Sequence, residues 1–193
     1  MKQCNNQKGF TLVEIAIVLV IIGLLLGGVL KGQSMIENAK VKSLANTAKS
    51  LTAAIYSYQD KYKAYPGDDP RATINLPGAS GGCVAADLVN GNGDGTIDEY
   101  FAALEHLACA GFITGAFNGT SDLIKHPYGG TAYVFNQTIQ GKAGNLIRFD
   151  NLPADVARDL DTMLDDAIFN RGSIRASADY VAGTVIANTG YYY

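Results

Sequence analysis

The sequence predicts an α+β protein: a long N-terminal helix, transmembrane and then amphipathic, packed against a small antiparallel-sheet head. Three observations carry this. An apolar run with a single ionisable side chain lies near the start of the chain. An amphipathic helical spacing follows it without a proline. Beyond residue 65, turn clusters separate short strand-like and helix-like segments. The expected parts are a leader at 1–9, a transmembrane helix at 10–30, its amphipathic continuation at 31–65 and a globular head at 66–193.

The apolar run comes first. Residues 10–30 hold one ionisable side chain, Glu14. A helix of these 21 residues is about 31 Å long, the thickness of a bilayer's hydrocarbon core. The nine residues before it are polar and carry Lys2, Lys8 and no acid. The positive-inside rule keeps that end in the cytoplasm, so whatever follows residue 30 lies across the membrane. A secretory signal would close with a small-residue cleavage site, and Val29-Leu30-Lys31-Gly32 offers none.

Gly9-Phe10-Thr11-Leu12-Val13-Glu14, after a short basic leader and before a long apolar helix, resembles the processing site of type IV prepilins and type II secretion pseudopilins. The resemblance implies cleavage after Gly9 by a membrane prepilin peptidase on the cytoplasmic side. It also implies N-methylation of the new terminus, Phe10. Glu14 then stands at the fifth mature position. The family reading gives Glu14 an assembly role, pairing with the Phe10 amine of a neighbouring subunit to set register. Its physical motive is that an unpaired carboxylate in hydrocarbon costs on the order of 2.5–3.5 kcal/mol or more. Snorkelling of Glu14 to the nearby interface is the plainer use of the same residue.

The second element continues the first. Val41, Leu44, Ala48, Leu51, Ile55, Tyr58, Tyr62 and Tyr65 recur at alternating steps of three and four. That is one narrow apolar face, with Lys40, Lys42, Lys49, Asp60, Lys61 and Lys63 off it. Pro66-Gly67 sets the expected helix end at Tyr65. The face is expected to carry the head; a coiled coil is the competing use. Gly23, Gly27, Gly28 and Gly32 suit either close helix packing or local unwinding.

The head is read from its punctuation. Residues 99–110 have helical spacing, with Asp98 as N-cap and Gly111 as stop. Residues 131–136 and 145–149 alternate like strands, joined by a glycine-bearing loop. A second helix is expected at 153–167 and a last strand at 180–187. Asp155, Asp159, Asp161, Asp165 and Asp166 read as a solvated acidic face. Tyr191-Tyr192-Tyr193 either finish the sheet or sit at a subunit contact. Several stretches, among them Asn90-Gly91-Asn92-Gly93-Asp94-Gly95 and Leu160-Asp161 with Asp165-Asp166, loosely resemble a head recurring in prepilin-type proteins.

Two features of the head suggest sites. Cys4 falls in the leader, which leaves Cys83 and Cys109 as a pair on the oxidising side. A disulfide is expected, with two free thiols as the alternative. Asn90, Asn92, Asp94, Thr96 and Asp98 follow the oxygen spacing of a calcium loop, with Gly95 at its turn. The bidentate acid that should close such a loop is replaced by Phe101. The alternatives are a structural calcium and a plain Asn/Gly/Asp turn.

Other functions have little support. The chain has 15 Lys+Arg against 18 Asp+Glu, a formal charge of −3, so no nucleic-acid partner is expected. Its 48% hydrophobic content excludes a disordered chain. Two His residues and no G-x-S-x-G, Walker A or dinucleotide fingerprint point away from an enzyme and from any required cofactor. The expected role is a structural subunit of a type IV pilus-like filament. The expected partners are copies of the chain, the prepilin peptidase/methyltransferase and the inner-membrane pilus or secretion machinery. The expected location is the bacterial inner membrane, single pass, before assembly, and then a filament at the cell surface or in the periplasm. A type II secretion pseudopilin, or a tethered ligand-binding head that never polymerises, are the alternatives.

Overall fold

The computed structural model describes residues 11–76, 83 and 88–193. The chain forms two units, residues 1–40 and 41–193. Helix α1, Leu12–Tyr62, contributes to both. In the first unit it shows apolar side chains on every side: Leu12, Leu19, Leu24 and Leu30 are all exposed. A helix that is apolar all round has no polar face to offer water.

From residue 41 the helix becomes one-sided. Val41, Leu44, Ala48, Leu51, Ile55 and Tyr58 are buried, as their spacing predicts, with Ala45 and Ala54 beside them. Tyr62 and Tyr65 are only partly buried. The helix also stops short of Tyr65. Lys63 takes a left-handed backbone, φ 60°, and its N–H bonds the Gln59 carbonyl at 2.8 Å. That is a left-handed C-terminal cap, which ends a helix without needing the proline beyond.

Two helices follow: the short α2, Ala72–Asn75, and α3, Tyr100–Cys109. The strands are β1 Ile124–Lys125, β2 Thr131–Ile139 and β3 Lys142–Pro153. After α4, Ala154–Leu164, come β4 Ile174–Ala176 and β5 Val185–Tyr192. They form one sheet in the order β1-β2-β3-β5-β4, antiparallel at every pairing. The fold is thus α+β, a long apolar helix and a small antiparallel sheet, as predicted.

Several boundaries differ from expectation, each for a local reason. Ile139 pairs with Lys142, so the β2–β3 connection is a two-residue turn. Gln140 and Gly141 both have positive φ, 49° and 78°. That is the backbone a tight hairpin needs, and it lengthens both strands beyond 131–136 and 145–149. Helix α4 ends at Leu164 instead of 167 because Asp165 leaves helical angles, φ −150° and ψ −131°. The last strand begins at Val185 instead of 180, since Thr184 turns back to bond the Val181 carbonyl at 3.1 Å. Tyr191 and Tyr192 therefore finish the sheet. α2, β1 and β4 are too short to leave a periodic signal.

One core joins these pieces. Leu44, Ile55 and Tyr58 of α1 share it with Leu104 and Leu107 of α3, Ile147 and Phe149 of β3, and Leu160 of α4. Ile139, Leu146 and Tyr192 form a smaller cluster.

Candidate functional site

Glu14 lies in the first turn of α1. Its Oε2 accepts the Thr11 backbone N–H and the Thr11 hydroxyl, each at 2.8 Å. The Glu14 N–H in turn donates to Thr11 Oγ1 at 3.3 Å. This is a reciprocal capping box, Thr at the N-cap and Glu three residues on. It satisfies helix-end amides that hydrocarbon would leave bare. Thr11-Leu12-Val13-Glu14 is itself the sequence signature of such a box, and the leader motif overlaps it. Gly9 and Phe10, the processing residues, lie outside the described residues, as does Cys4.

The loop before α3 is held from two sides by residues the spacing did not single out. Asp68, almost wholly buried, accepts the N–H groups of Gly93 at 2.6 Å, Asp94 at 3.0 Å and Gly95 at 2.8 Å. From β3, Asn145 accepts the Ile97 N–H at 3.1 Å and donates to the Gly95 carbonyl at 3.2 Å. The five candidate calcium ligands are divided. Asn90 faces Thr73, accepting its N–H at 3.0 Å and its hydroxyl at 3.1 Å.

The other four ligands form a local chain. Asn92 donates to Asp94 at 3.1 Å, and Thr96 donates its N–H to Asp94 at 2.8 Å. The Thr96 hydroxyl also reaches Asp98 at 3.3 Å. The Thr96 hydroxyl and N–H hold the Asp94 carboxyl below its ordinary range. Asp98 is not the cap of α3: Glu99 holds that position and makes no side-chain cap bond.

His106 of α3 is fully buried. Its Nδ1 accepts the Gly67 N–H at 3.0 Å. The proton therefore sits on Nε2, which donates to the Val89 carbonyl at 2.9 Å. Burial holds its pKa below the ordinary histidine value. One ring thus pins the turn after α1 and the segment at 89 to the same helix. Beside it, Cys83 and Cys109 form a disulfide with a Cα–Cα distance of 4.8 Å. It fastens residue 83 to the last residue of α3.

Residues 4–30 match the family model of the prokaryotic N-terminal methylation motif. The chain carries a prepilin-type methylation motif. The match includes Gly9, Phe10 and Glu14, the three residues singled out in the sequence. No curated protein and no solved structure matches the chain. The prepilin motif supports a subunit of the type IV pilin or pseudopilin type, and implies processing by a prepilin peptidase. Together with a helix long and apolar enough to cross a bilayer, it fits a membrane-anchored precursor.

Away from the prepilin motif, the acidic helix corrects the sequence reading. Asp155, Asp159, Asp165 and Asp166 are exposed, but Asp161 is buried, at 0% exposure. Its Oδ2 accepts the Tyr180 hydroxyl at 2.8 Å. Burial pushes the Asp161 carboxyl above its ordinary value, and burial together with the Asp161 bond raises the Tyr180 hydroxyl. The residue lies on the inward side of α4 beside Leu160, which periodicity alone did not separate from its solvated neighbours.

Proposed function

We propose that the chain is a structural subunit of a type IV pilus-like filament, assembled through its N-terminal helix. Peptidase cleavage after Gly9 releases the leader, and methylation caps Phe10. The subunit waits in the inner membrane by its single helix, with the head outside. Copies then leave the bilayer and pack their helices in a filament core, guided by the inner-membrane assembly machinery.

The observation that carries this reading is Glu14 on a helix whose apolar side chains are exposed throughout the first unit, inside a matched methylation motif. Lipid is as apolar as leucine, so moving these side chains from lipid to neighbouring helices gains packing more than hydrophobic burial. The acid supplies a directional term. Both Thr11 bonds fall on Oε2, which leaves Oε1 as an acceptor for the Phe10 amine of the next subunit. In a tethered anchor that never polymerises, Glu14 would serve only as the cap of its own helix.

Mass spectrometry of the mature N-terminus tests processing, and N-methyl-Phe10 is expected. An intact Met1 would overturn the reading. Glu14→Ala should leave cleavage intact and abolish filaments in electron micrographs. Filaments at normal yield from that variant would remove the assembly role.

A further inference from the structure

Charge is segregated along this chain. Residues 31–65 carry six lysines and two acids, a formal +4. Residues 66–193 carry seven Lys+Arg and fifteen Asp+Glu, a formal −8. Within residues 41–193 the basic part reaches the surface as a stripe on α1. Lys42, Asn46, Lys49, Ala53 and Tyr56 are all exposed, at alternating steps of four and three. They lie on the side of the helix opposite the buried Leu44, Leu51 and Ile55. No acid occurs between Glu37 and Asp60. Among the described residues neither Lys42 nor Lys49 enters an ion pair. The face is thus a helix side without a partner, basic at one end and with an aromatic ring, 50% exposed, at the other.

A surface of opposite sign lies on α4. Asp155, Asp159 and Met163 follow at steps of four and are exposed, outside the buried face of Val156, Ala157 and Leu160. Arg158 stands 3.8 Å from Asp155 and 3.9 Å from Asp159. One guanidinium offsets only one of these two carboxylates. Met163 is 44% exposed, a large apolar side chain left in water. On both helices, then, charge gives way to an apolar group toward the C-terminal end.

We propose that the exposed face of α1 at 42–56 docks on α4 of a second copy of this chain. Lys42 and Lys49 meet Asp155 and Asp159, and Ala53 and Tyr56 meet Met163. The two helices run side by side in the same sense, which brings charge against charge and apolar group against apolar group. Lys49 to Ala53 and Asp159 to Met163 each advance about 6 Å along their axes. The flexible lysine stems take up the remaining difference in spacing. Neither surface complements itself, since two α1 stripes face to face would set lysine against lysine. The contact is therefore heterologous: each copy offers α1 to one neighbour and α4 to another. Contacts of that kind propagate as an open filament where the rotation does not close into a ring. Opposite charge also steers the incoming subunit and suppresses wrong registers. The contact rests on the filament reading above and adds to it an interface outside the N-terminal helix segment.

Carbodiimide treatment of filaments of the full chain tests the contact directly, because it joins a lysine amine to a touching carboxylate. Subunit dimers are expected, with Lys42 or Lys49 linked to Asp155 or Asp159. Charge exchange is the second test. Lys49→Asp and Asp159→Lys should each lower filament yield by about tenfold or more. Both side chains are exposed, so neither change should alter the melting temperature or cleavage of the leader. The two changes in one chain should bring the yield back to within about threefold of the parent. Dimers without the α1–α4 link overturn the contact. Normal yield from either single variant does so too, as does a double variant no better than the singles. Loss with Lys49→Asp alone would assign that lysine to another surface, such as anionic lipid. All these results leave the filament reading standing, whereas a parent chain that forms no filaments overturns both.

Discussion

Acidification should loosen the head through His106, and the size of the effect follows from its bonds. The ring is buried and neutral, with Nδ1 occupied by the Gly67 N–H. A proton on Nδ1 would break that bond and place a charge beside an amide hydrogen. The folded chain therefore resists protonation, while the unfolded chain accepts it near the ordinary value of 6.5. A base whose folded pKa is depressed contributes stability that is present above the unfolded value and lost as pH falls toward the folded one. Between about pH 7.5 and pH 5.5 the loss reaches up to about 1.4 kcal/mol. For a chain of this size that is a drop of roughly 3–6 °C in melting temperature. His106→Gln keeps a donor and an acceptor but does not titrate. Thermal melts of both proteins in detergent across this range check the effect. The variant should lose less on acidification than the parent, by that difference. Equal losses in the two would refute the buried neutral ring as the cause.

Two further changes probe the same corner of the head. Tyr58→Phe removes the hydroxyl that donates to buried Asp69 at 3.0 Å, and should cost about 1.5–3 kcal/mol in denaturant titrations; a change within error would mean the bond adds nothing. Reduction of Cys83–Cys109 opens a link between residues 26 apart, and should cost roughly 3–4 kcal/mol, seen as a lower melting temperature with reductant that a Cys83→Ser/Cys109→Ser double variant reproduces without it.

The amino-acid order alone determined what is local or periodic. The membrane-length apolar run, Glu14 in its motif and the buried stripe from Val41 to Tyr58 were all legible there. Helix periodicity repeats every few residues, so a short window of sequence contains it. The pairing of Cys83 with Cys109 was readable for another reason: with Cys4 in the leader, only one partner remained. What the tertiary structure decided lies in contacts between distant residues. Asp68 meets its three amides 25–27 residues away. Asn145 reaches Ile97 across 48, and His106 reaches Gly67 across 39. No spacing rule links such pairs; they meet because the core around Tyr58 and Leu107 brings their elements together. Asp161 makes the same point within one helix. Its sequence neighbours are solvated acids, and only the packing of α4 on the sheet turned this one inward, where a carboxylate must find a partner.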